Sequence, residues 1–229
     1  MYQFFIEDEN AAEDFVTIEG SDVNHIKNVL RMKPGEKIRV CTRNGQNYFC
    51  SISDITESFV RADILEKEAE STELPCRIYL FQGLPKNDKM EWIIQKTVEL
   101  GVYEVIPVTM KNCVVKLDDK KAKSKVTRWQ AIAESAAKQS KRSLIPEVKM
   151  PMSYKEAVAY AKGLIEKGES VAVFIGPEGG FAPEEIEMVR DEMQLISLGR
   201  RILRTETAGI AALAILGYQL ESQTDGREA

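Results

Sequence analysis

The sequence predicts an α/β protein in which a small β domain precedes a larger domain built on a parallel sheet. Residues 1–70 contain short apolar runs separated by turn signals, whereas residues 74–229 alternate apolar strands with amphipathic helices. Near the C-terminus, the apolar runs 171–175 and 195–198 each lead into glycine. Alternating strands and helices are typical of a parallel sheet covered on both faces. Because ligands of such sheets bind beyond the carboxyl ends of the strands, the two glycine turns predict a ligand site.

The composition is that of a globular protein with an uneven distribution of charge. The chain has 229 residues, 44% hydrophobic and 29% charged, which suffices for one large domain or two smaller ones. Its net charge is −5, but the span 120–149 holds nine lysines or arginines and two acidic residues, so it carries +7 and the remainder carries −12. Such a span is typical either of a polyanion-binding surface or of a solvated helix face.

Several classes of protein do not fit this sequence. The four cysteines form no CxxC pair and His25 is the single histidine, so no metal site is predicted. The N-terminal stretch is acidic, unlike a secretion signal, and no apolar run approaches the roughly 20 residues that span a bilayer. We therefore expect a cytoplasmic protein with reduced thiols and no membrane segment.

Residues 1–70 are predicted to form a hairpin, a helix and further strands. Asn44-Gly45 is a strong hairpin signal between strands at 38–40 and 48–50. Other predicted elements are a helix at 25–31 and strands at 52–55 and 59–64, the helix having Ile26, Val29 and Leu30 on one face. The polar run 66–73 is interpreted as a linker.

Strand and helix signals alternate after residue 74. They predict strands at 77–84 and 102–109, helices at 86–100 and 121–140, and an extended segment at 147–150. Ser153 with Glu156 is a capping box that starts another helix. The last helix, 206–220, is apolar on nearly every side, which predicts burial either in the monomer core or partly in a homodimer interface.

The glycine turns are the best candidates for a binding site. Neither GxGxxG nor GxxxxGK[ST] occurs, and the α/β part has no histidine for a Ser-His-Asp triad. A ligand held by backbone groups at Gly176, Gly179, Gly180 and Gly199 remains possible, and so does simple turn formation. Arg200, Arg201 and Arg204 surround Ile202 and Leu203, a combination that suits a flat base beside a polyanion. Thr205 and Thr207 are also candidate helix caps.

These residues carry a resemblance to a known family. The segments IGPEGGF at 175–181 and LGRRILRTET at 198–207 resemble the signature of the RsmE-type 16S ribosomal RNA uridine-N3 methyltransferases, which belong to the SPOUT superfamily. The segments 25–31, 90–101 and 128–142 also resemble this family, so the likeness covers almost the whole chain. Lys138 departs from the pattern, since many members carry an acidic residue there, so the local charge of the RNA face differs from theirs.

The resemblance implies a fold and a set of partners. It implies a PUA-like β-barrel at 1–70 that helps to hold RNA, and a parallel-sheet SPOUT domain at 74–229 with a C-terminal trefoil knot. It further implies S-adenosylmethionine as cofactor, a homodimer, and 16S ribosomal RNA or the small ribosomal subunit as partner, with a uridine of the decoding region as target. The alternatives are methylation of another RNA and a non-catalytic ribosomal RNA-binding or assembly protein.

The resemblance also implies the roles of individual residues. The cofactor would be held by Ile175, Gly176, Glu178, Gly179, Leu198, Gly199, Ile202, Leu203, Arg204 and Thr207. RNA would be bound by His25, Arg31, Arg43, Lys125, Arg128, Lys138 and Arg142. Arg204 is the expected catalytic residue, because it would stabilise negative charge on the uracil carbonyls; a phosphate clamp or a helix contact is its alternative role. The base that removes the N3 proton stays open among Glu178, Glu206 and water.

Overall fold

The structure, a computed structural model, describes residues 1–68, 71–165 and 170–225. The chain divides into two compact units. The first comprises Met1–Glu73 with Ala137–Ile145, and the second comprises Leu74–Ala136 with Pro146–Ala229. None of the described helices is both long and apolar enough to cross a membrane.

The N-terminal unit is a curled five-stranded sheet. Its strands are β1 (Tyr2–Ile6), β2 (Phe15–Glu19), β3 (Lys37–Thr42), β4 (Asn47–Ile55) and β5 (Phe59–Glu68). The strand order is β1-β3-β4-β5-β2; β1 pairs with β3 in parallel and the other pairs are antiparallel. The two edge strands, β1 and β2, also lie close to each other, so the sheet curls around its apolar core.

The predicted hairpin is confirmed, and two neighbouring predictions need correction. Gly45 in the turn between β3 and β4 has a φ of 87°, a conformation that glycine adopts without strain. The predicted strands 48–50 and 52–55 form one continuous strand, β4. The predicted linker is wrong at its start, because β5 continues through Glu68. Residues 69–70 of that linker lie outside the described residues.

The predicted helix at 25–31 begins and ends earlier than expected, and its second half is wider than an α-helix. Helix α1 (Ser21–Asn24) continues over His25–Val29 as a wide turn, in which the Leu30 amide donates to the His25 carbonyl at 2.8 Å. The helical conformation ends before Arg31, whose φ is 55°. Ile26 is fully buried, whereas Val29 is 61% exposed. The predicted apolar face is therefore wrong at Val29, because a wide turn rotates successive side chains by a smaller angle than an α-helix does.

The segment Ala137–Ile145 belongs to the N-terminal unit through polar contacts. The guanidinium of Arg142, which is 3% exposed, pairs with the carboxylate of Glu73, with Nε 3.1 Å from Oε2. Gln3 donates to the Arg142 carbonyl at 2.6 Å, and Asn47 donates to the Ser143 hydroxyl at 2.8 Å. No local pattern in the sequence indicates this return of the chain, since every partner is distant in sequence.

The C-terminal unit is a parallel sheet with helices. Its strands are β6 (Arg77–Gly83), β7 (Glu104–Thr109), β8 (Glu147–Val148), β9 (Met152–Ser153) and β10 (Ser170–Ile175). Its helices are α2 (Lys89–Glu99), α3 (Asp119–Ser140, whose last turn belongs to the other unit), α4 (Tyr154–Ile165), α5 (Pro183–Val189) and α6 (Thr205–Asp225). The strand order is β10-β6-β7-β8, with β9 also pairing with β7, and every pair is parallel.

The local signals for α2 and α4 are confirmed. The predicted apolar face of α2 is buried in full, at Met90, Ile93, Ile94, Thr97 and Val98. The capping box of α4 is present, because the Glu156 carboxylate accepts from the Ser153 amide at 2.8 Å and the Ser153 hydroxyl accepts from the Glu156 amide at 3.3 Å.

The predicted strand at 195–198 does not form. Leu195 is 64% exposed and Ile196 is 69% exposed, and the described segment has no strand neighbour. An apolar run becomes a strand only where an adjacent strand takes its backbone hydrogen bonds, so composition alone was a misleading signal here. The second of the two glycine turns therefore follows a loop. Gly199 in this turn has a φ of 114°.

Helix α6 buries one of its faces against α2, β6 and β10 of the same unit. The predicted burial on all sides is not observed within this chain, because Ile215 is 59% exposed and Tyr218 is 75% exposed. The buried face is formed mainly by small residues, Thr205, Gly209, Ala212, Leu213 and Gly217.

Candidate functional site

The candidate site lies where the ends of β6 and β10 meet the start of α6. Ile175, at the end of β10, pairs in parallel register with Gln82 near the end of β6. The next residue of β6 is Gly83, and a Cβ built there would lie 2.7 Å from the backbone nitrogen of Pro177. Only a glycine permits this approach. The end of β6 is thus packed directly against the turn of residues 176–180, which we call the first turn.

The first turn is held in shape by its glycines and by Asn112. A Cβ at Gly176 would lie 3.3 Å from the backbone of Gly180, and one at Gly179 would lie 2.9 Å from the Cβ of Asn112. The Asn112 side-chain amide donates to the carbonyls of Gly179 at 3.1 Å and Gly180 at 3.2 Å. A Cβ at Gly180 would meet nothing within 4 Å. The turn is therefore tight on its protein side and open at Gly180.

A buried relay of side chains connects the first turn to α6. Gln82 is fully buried, and its amide nitrogen donates to the Thr205 hydroxyl at 2.9 Å and to the Gly83 carbonyl at 3.1 Å. The Thr205 hydroxyl donates in turn to the Gly176 carbonyl at 2.7 Å. Thr205 was predicted as a candidate cap, but its hydroxyl joins two distant segments. The Gln82 side-chain oxygen is buried and has no hydrogen-bond partner in the described parts of the chain.

Lys89 places one positive charge between two carboxylates of the site. Its ammonium lies 3.0 Å from Glu178 Oε1 in the first turn and 3.2 Å from Glu206 Oε2 in α6. The Lys86 amide also donates to Glu178, at 3.1 Å. The hydrogen bonds that the ammonium donates, first to Glu178 and then to Glu206, raise the pKa of Lys89. Burial alone would raise the pKa of Glu178, but hydrogen bonds from its own amide, from Lys86 and from Lys89 bring this pKa below its ordinary value.

A buried carboxylate fixes the segment that follows the first turn. Glu185 is 6% exposed and accepts hydrogen bonds from the amides of Ala182 and Lys111, both at 2.8 Å. The hydroxyl of Tyr154 donates to the Glu185 carbonyl at 3.1 Å. Glu185 is not among the predicted site residues, although Pro183 followed by Glu185 near a helix start is a recognisable N-terminal signal. Gln82, Lys89 and Asn112 have no such local signal.

The predicted cofactor residues fall into two groups. Ile175, Gly176, Glu178 and Gly179 lie together in and beside the first turn. Leu198 and Leu203 are partly buried, whereas Gly199, Ile202, Arg204 and Thr207 are exposed. Arg204 immediately precedes Thr205, which carries the hydrogen bond to the first turn. The roles of residues 198–207 towards a cofactor stay predictions.

The predicted RNA-binding residues of the N-terminal unit have different environments. His25, Arg31 and Arg43 are exposed, and Arg43 pairs with Glu7 at 3.1 Å. Lys138 lies 3.0 Å from Asp22. The prediction for Arg142 is corrected, because its buried guanidinium is already paired with Glu73 and is not available to a phosphate.

The basic span on α3 carries less free charge than its sequence suggests. Lys125 lies 3.4 Å from Asp88, and Arg128 lies 2.8 Å from Glu91. Acidic residues that are distant in sequence therefore offset part of the predicted excess of positive charge. Exposed ion pairs of this kind are weak, so a phosphate can replace the carboxylate as the partner.

Both units of the chain match models of known protein families. Residues 72–165 and 158–217 match a family model described as an RNA methyltransferase domain, and residues 18–65 match an RNA methyltransferase PUA domain. The ribosomal RNA small subunit methyltransferase E of Bacillus subtilis (strain 168) is 38% identical to this chain, covering 96% of it and 98% of the relative. The chain belongs to the ribosomal RNA small subunit methyltransferase E family. The family inferred from the two C-terminal motifs is thus confirmed.

Other members of this family support the assignment. The corresponding enzyme of Mesomycoplasma hyopneumoniae (strain 232) is 34% identical, over 93% of this chain and 97% of the relative. A crystal structure of ribosomal RNA small subunit methyltransferase E from Neisseria gonorrhoeae bound to S-adenosyl methionine has a TM-score of 0.81 and 32% identity, covering 94% of this chain and 96% of that one. The predicted parallel-sheet domain preceded by a PUA-like domain is confirmed, whereas the knot stays a prediction.

Proposed function

We propose that this protein transfers a methyl group from S-adenosylmethionine to N3 of a uridine in 16S ribosomal RNA. The main support is the first turn, because its glycines place a tight backbone loop at the carboxyl ends of two parallel strands and Thr205 joins it to α6. That position is where ligands of parallel sheets bind. Membership of the family supports the reaction and the cofactor.

The residues of the site fit this cofactor. The first turn is open at Gly180, so its backbone can approach a ligand closely. Ile175, Leu198 and Leu203 add partly buried apolar surface for a flat base. The bound cofactor supplies an electrophilic methyl group on a sulfonium. We assign its binding to Ile175, Gly176, Glu178 and Gly179 together with the predicted residues that follow the second turn's start and reach into α6, namely Leu198, Gly199, Ile202, Leu203, Arg204 and Thr207.

Arg204 is the residue that we assign to charge stabilisation. It is exposed, and no ion pair occupies it within the parts of the chain that the structure describes. A guanidinium that is free of acidic partners can donate to a uracil carbonyl as negative charge develops there. The two candidate bases are less suitable, because Glu178 and Glu206 share the ammonium of Lys89. These pairs favour water as the acceptor of the N3 proton.

RNA binding and self-association complete the proposal. Exposed His25, Arg31 and Arg43, with Lys125, Arg128 and Lys138, would contact phosphates of the ribosomal RNA or small subunit in the cytoplasm. Their affinity for RNA should fall steeply with salt. The exposed face of α6 at Ile215 and Tyr218 supports a homodimer. Sedimentation of the protein with Tyr218→Glu tests this interface: a dimeric wild type and a monomeric variant are expected.

The function is tested with labelled S-adenosylmethionine and small subunits that lack the modification. Label should enter one uridine at N3, mapped by mass spectrometry of nuclease fragments. Arg204→Ala should lower kcat by about 10²- to 10³-fold, the usual effect of removing one donor to a developing oxyanion. Arg190→Ala is the matched control, since Arg190, the residue after α5, pairs locally with Glu187 of that helix. Absence of label, or label on another base position, would refute the proposal.

A further inference from the structure

Lys89 is the one cation of α2 whose described contacts join two other segments of the site. Its ammonium lies between Glu178 of the first turn and Glu206 at the start of α6. Two carboxylates held near each other repel, and the ammonium between them converts that repulsion into attraction. Without it, electrostatics would push the first turn and the start of α6 apart.

Lys96 shows what an ordinary ion pair on the same helix looks like. It pairs with Glu99 at 2.8 Å, one helical turn away, and its side chain is 29% exposed, against 27% for Lys89. The two lysines therefore lie on the same helix and have similar side-chain exposures and similar ion-pair distances. They differ in connectivity, since the Lys96 pair is local and the Lys89 pairs connect separate elements.

The two partners of Lys89 are not anchored equally. Glu178 also accepts from the Lys86 amide at 3.1 Å, so it keeps one anchor when the ammonium is removed. Glu206 has no second donor among the described residues, and its Oε2 lacks any other hydrogen bond. Loss of Lys89 therefore leaves the Thr205 hydrogen bond to Gly176 as the remaining link between the start of α6 and the first turn, and it frees Glu206 more than it frees Glu178.

We propose that Lys89 is a positioning residue: its ammonium acts together with the Thr205 hydrogen bond to set the spacing between the first turn and α6, and through α6 the position of Arg204. Arg204 lies two residues before Glu206. Its carbonyl accepts a hydrogen bond from the Ala208 amide in α6 at 2.9 Å. A shift at Glu206 therefore moves Arg204, while the loop that receives the methyl donor keeps its shape. This inference rests on the proposed function.

The test compares Lys89→Met with Lys96→Met. The Lys89 variant should lose about 10- to 100-fold in kcat, because a misplacement of about 1 Å can cost a factor of 10². Its KM for S-adenosylmethionine should change by less than about threefold, since the first turn keeps its anchor. Lys89→Arg should restore most of kcat, and Lys96→Met should resemble wild type. A similar loss in both Met variants, or a wild-type kcat in Lys89→Met, would overturn the proposal.

Hydrogen exchange on the protein without cofactor gives a second readout. The Ala208 amide, which donates to Arg204, should exchange faster in Lys89→Met, whereas the Gly180 amide, which donates to Pro177 at 2.9 Å, should not change. Glu206→Gln should give the same pattern if the Lys89 variant fails to fold. Faster exchange at both amides, or at neither, would contradict the proposal. If wild type neither binds the cofactor by calorimetry nor methylates RNA, the proposed function fails, and the exchange pattern still tests the spacing.

Discussion

Gly83 and Gly163 should respond in opposite directions to the same substitution by alanine. A Cβ at Gly83 would lie 2.7 Å from both the backbone nitrogen and Cδ of Pro177. Gly163 is exposed in α4, and a Cβ there would meet nothing within 4 Å. The chemical change is the same, so the difference in stability reports on the space around each glycine.

The expected magnitudes follow from these distances. Carbon atoms pack best at about 3.5–4.0 Å, so Pro177 and the first turn must move by about 1 Å to admit a methyl group at residue 83. Such overpacking costs about 1–3 kcal/mol, and the lost freedom of the unfolded chain returns about 0.4–1 kcal/mol. We expect a net destabilisation of about 1–2 kcal/mol for Gly83→Ala. In an exposed helical position the same change stabilises by about 0.5–1 kcal/mol, so Gly163→Ala should be more stable than wild type.

Equilibrium unfolding in urea, followed by tryptophan fluorescence, measures both changes. Trp92 and Trp129 both lie in the C-terminal unit, so the signal reports on the unit that contains both glycines. Calorimetry should also show weaker binding of S-adenosylmethionine to Gly83→Ala and unchanged binding to Gly163→Ala. If the two variants shift stability in the same direction, or if Gly83→Ala keeps wild-type stability and affinity, the close packing of β6 against the first turn is wrong.

Three further variants test other parts of the chain. Arg142→Ala leaves the carboxylate of Glu73 without its partner and should lower the free energy of unfolding by about 3–5 kcal/mol, measured by circular dichroism in urea. Arg43→Ala breaks an exposed pair and should lower it by less than about 1 kcal/mol. Equal losses of stability in the two variants would refute the buried pair. Burial raises the pKa of Glu104 despite opposing hydrogen bonds, so its protonated form stabilises the fold and this contribution is lost as pH rises through the folded pKa. Glu104→Gln should therefore gain stability relative to wild type between acid and neutral pH; a constant difference would contradict this. Glu185→Ala leaves two amides without their acceptor and should cost about 2–4 kcal/mol in thermal unfolding, against less than about 1 kcal/mol for the exposed Glu184→Ala.

Features with a local cause could be predicted from the sequence. The hairpin at Asn44-Gly45 needs a residue that tolerates positive φ, and the apolar face of α2 follows from helical spacing. The IGPEGGF turn was also recognisable, since two of its glycines have local causes: Gly176 lies close to Gly180, and Gly180 has a φ of 68°.

Features with a distant cause could not be predicted in this way. Arg142 has the composition of an RNA-binding residue, but its pairing with Glu73 depends on how the chain returns to the N-terminal sheet. Lys89 and Gln82 acquire their roles only from partners that the fold brings to them. The strand expected at 195–198 failed for the same reason, because strand formation depends on a neighbour that no local pattern specifies.

The return of Ala137–Ile145 to the N-terminal unit has a consequence for synthesis on the ribosome. Arg142 is made 69 residues after Glu73, a delay of about 3 to 14 seconds at ordinary rates of translation. Throughout that interval the nascent chain carries the five strands without the segment that completes their polar contacts at Gln3 and Asn47. Chaperones that bind nascent chains therefore encounter an incomplete N-terminal unit, and a chain truncated before residue 137 cannot complete it.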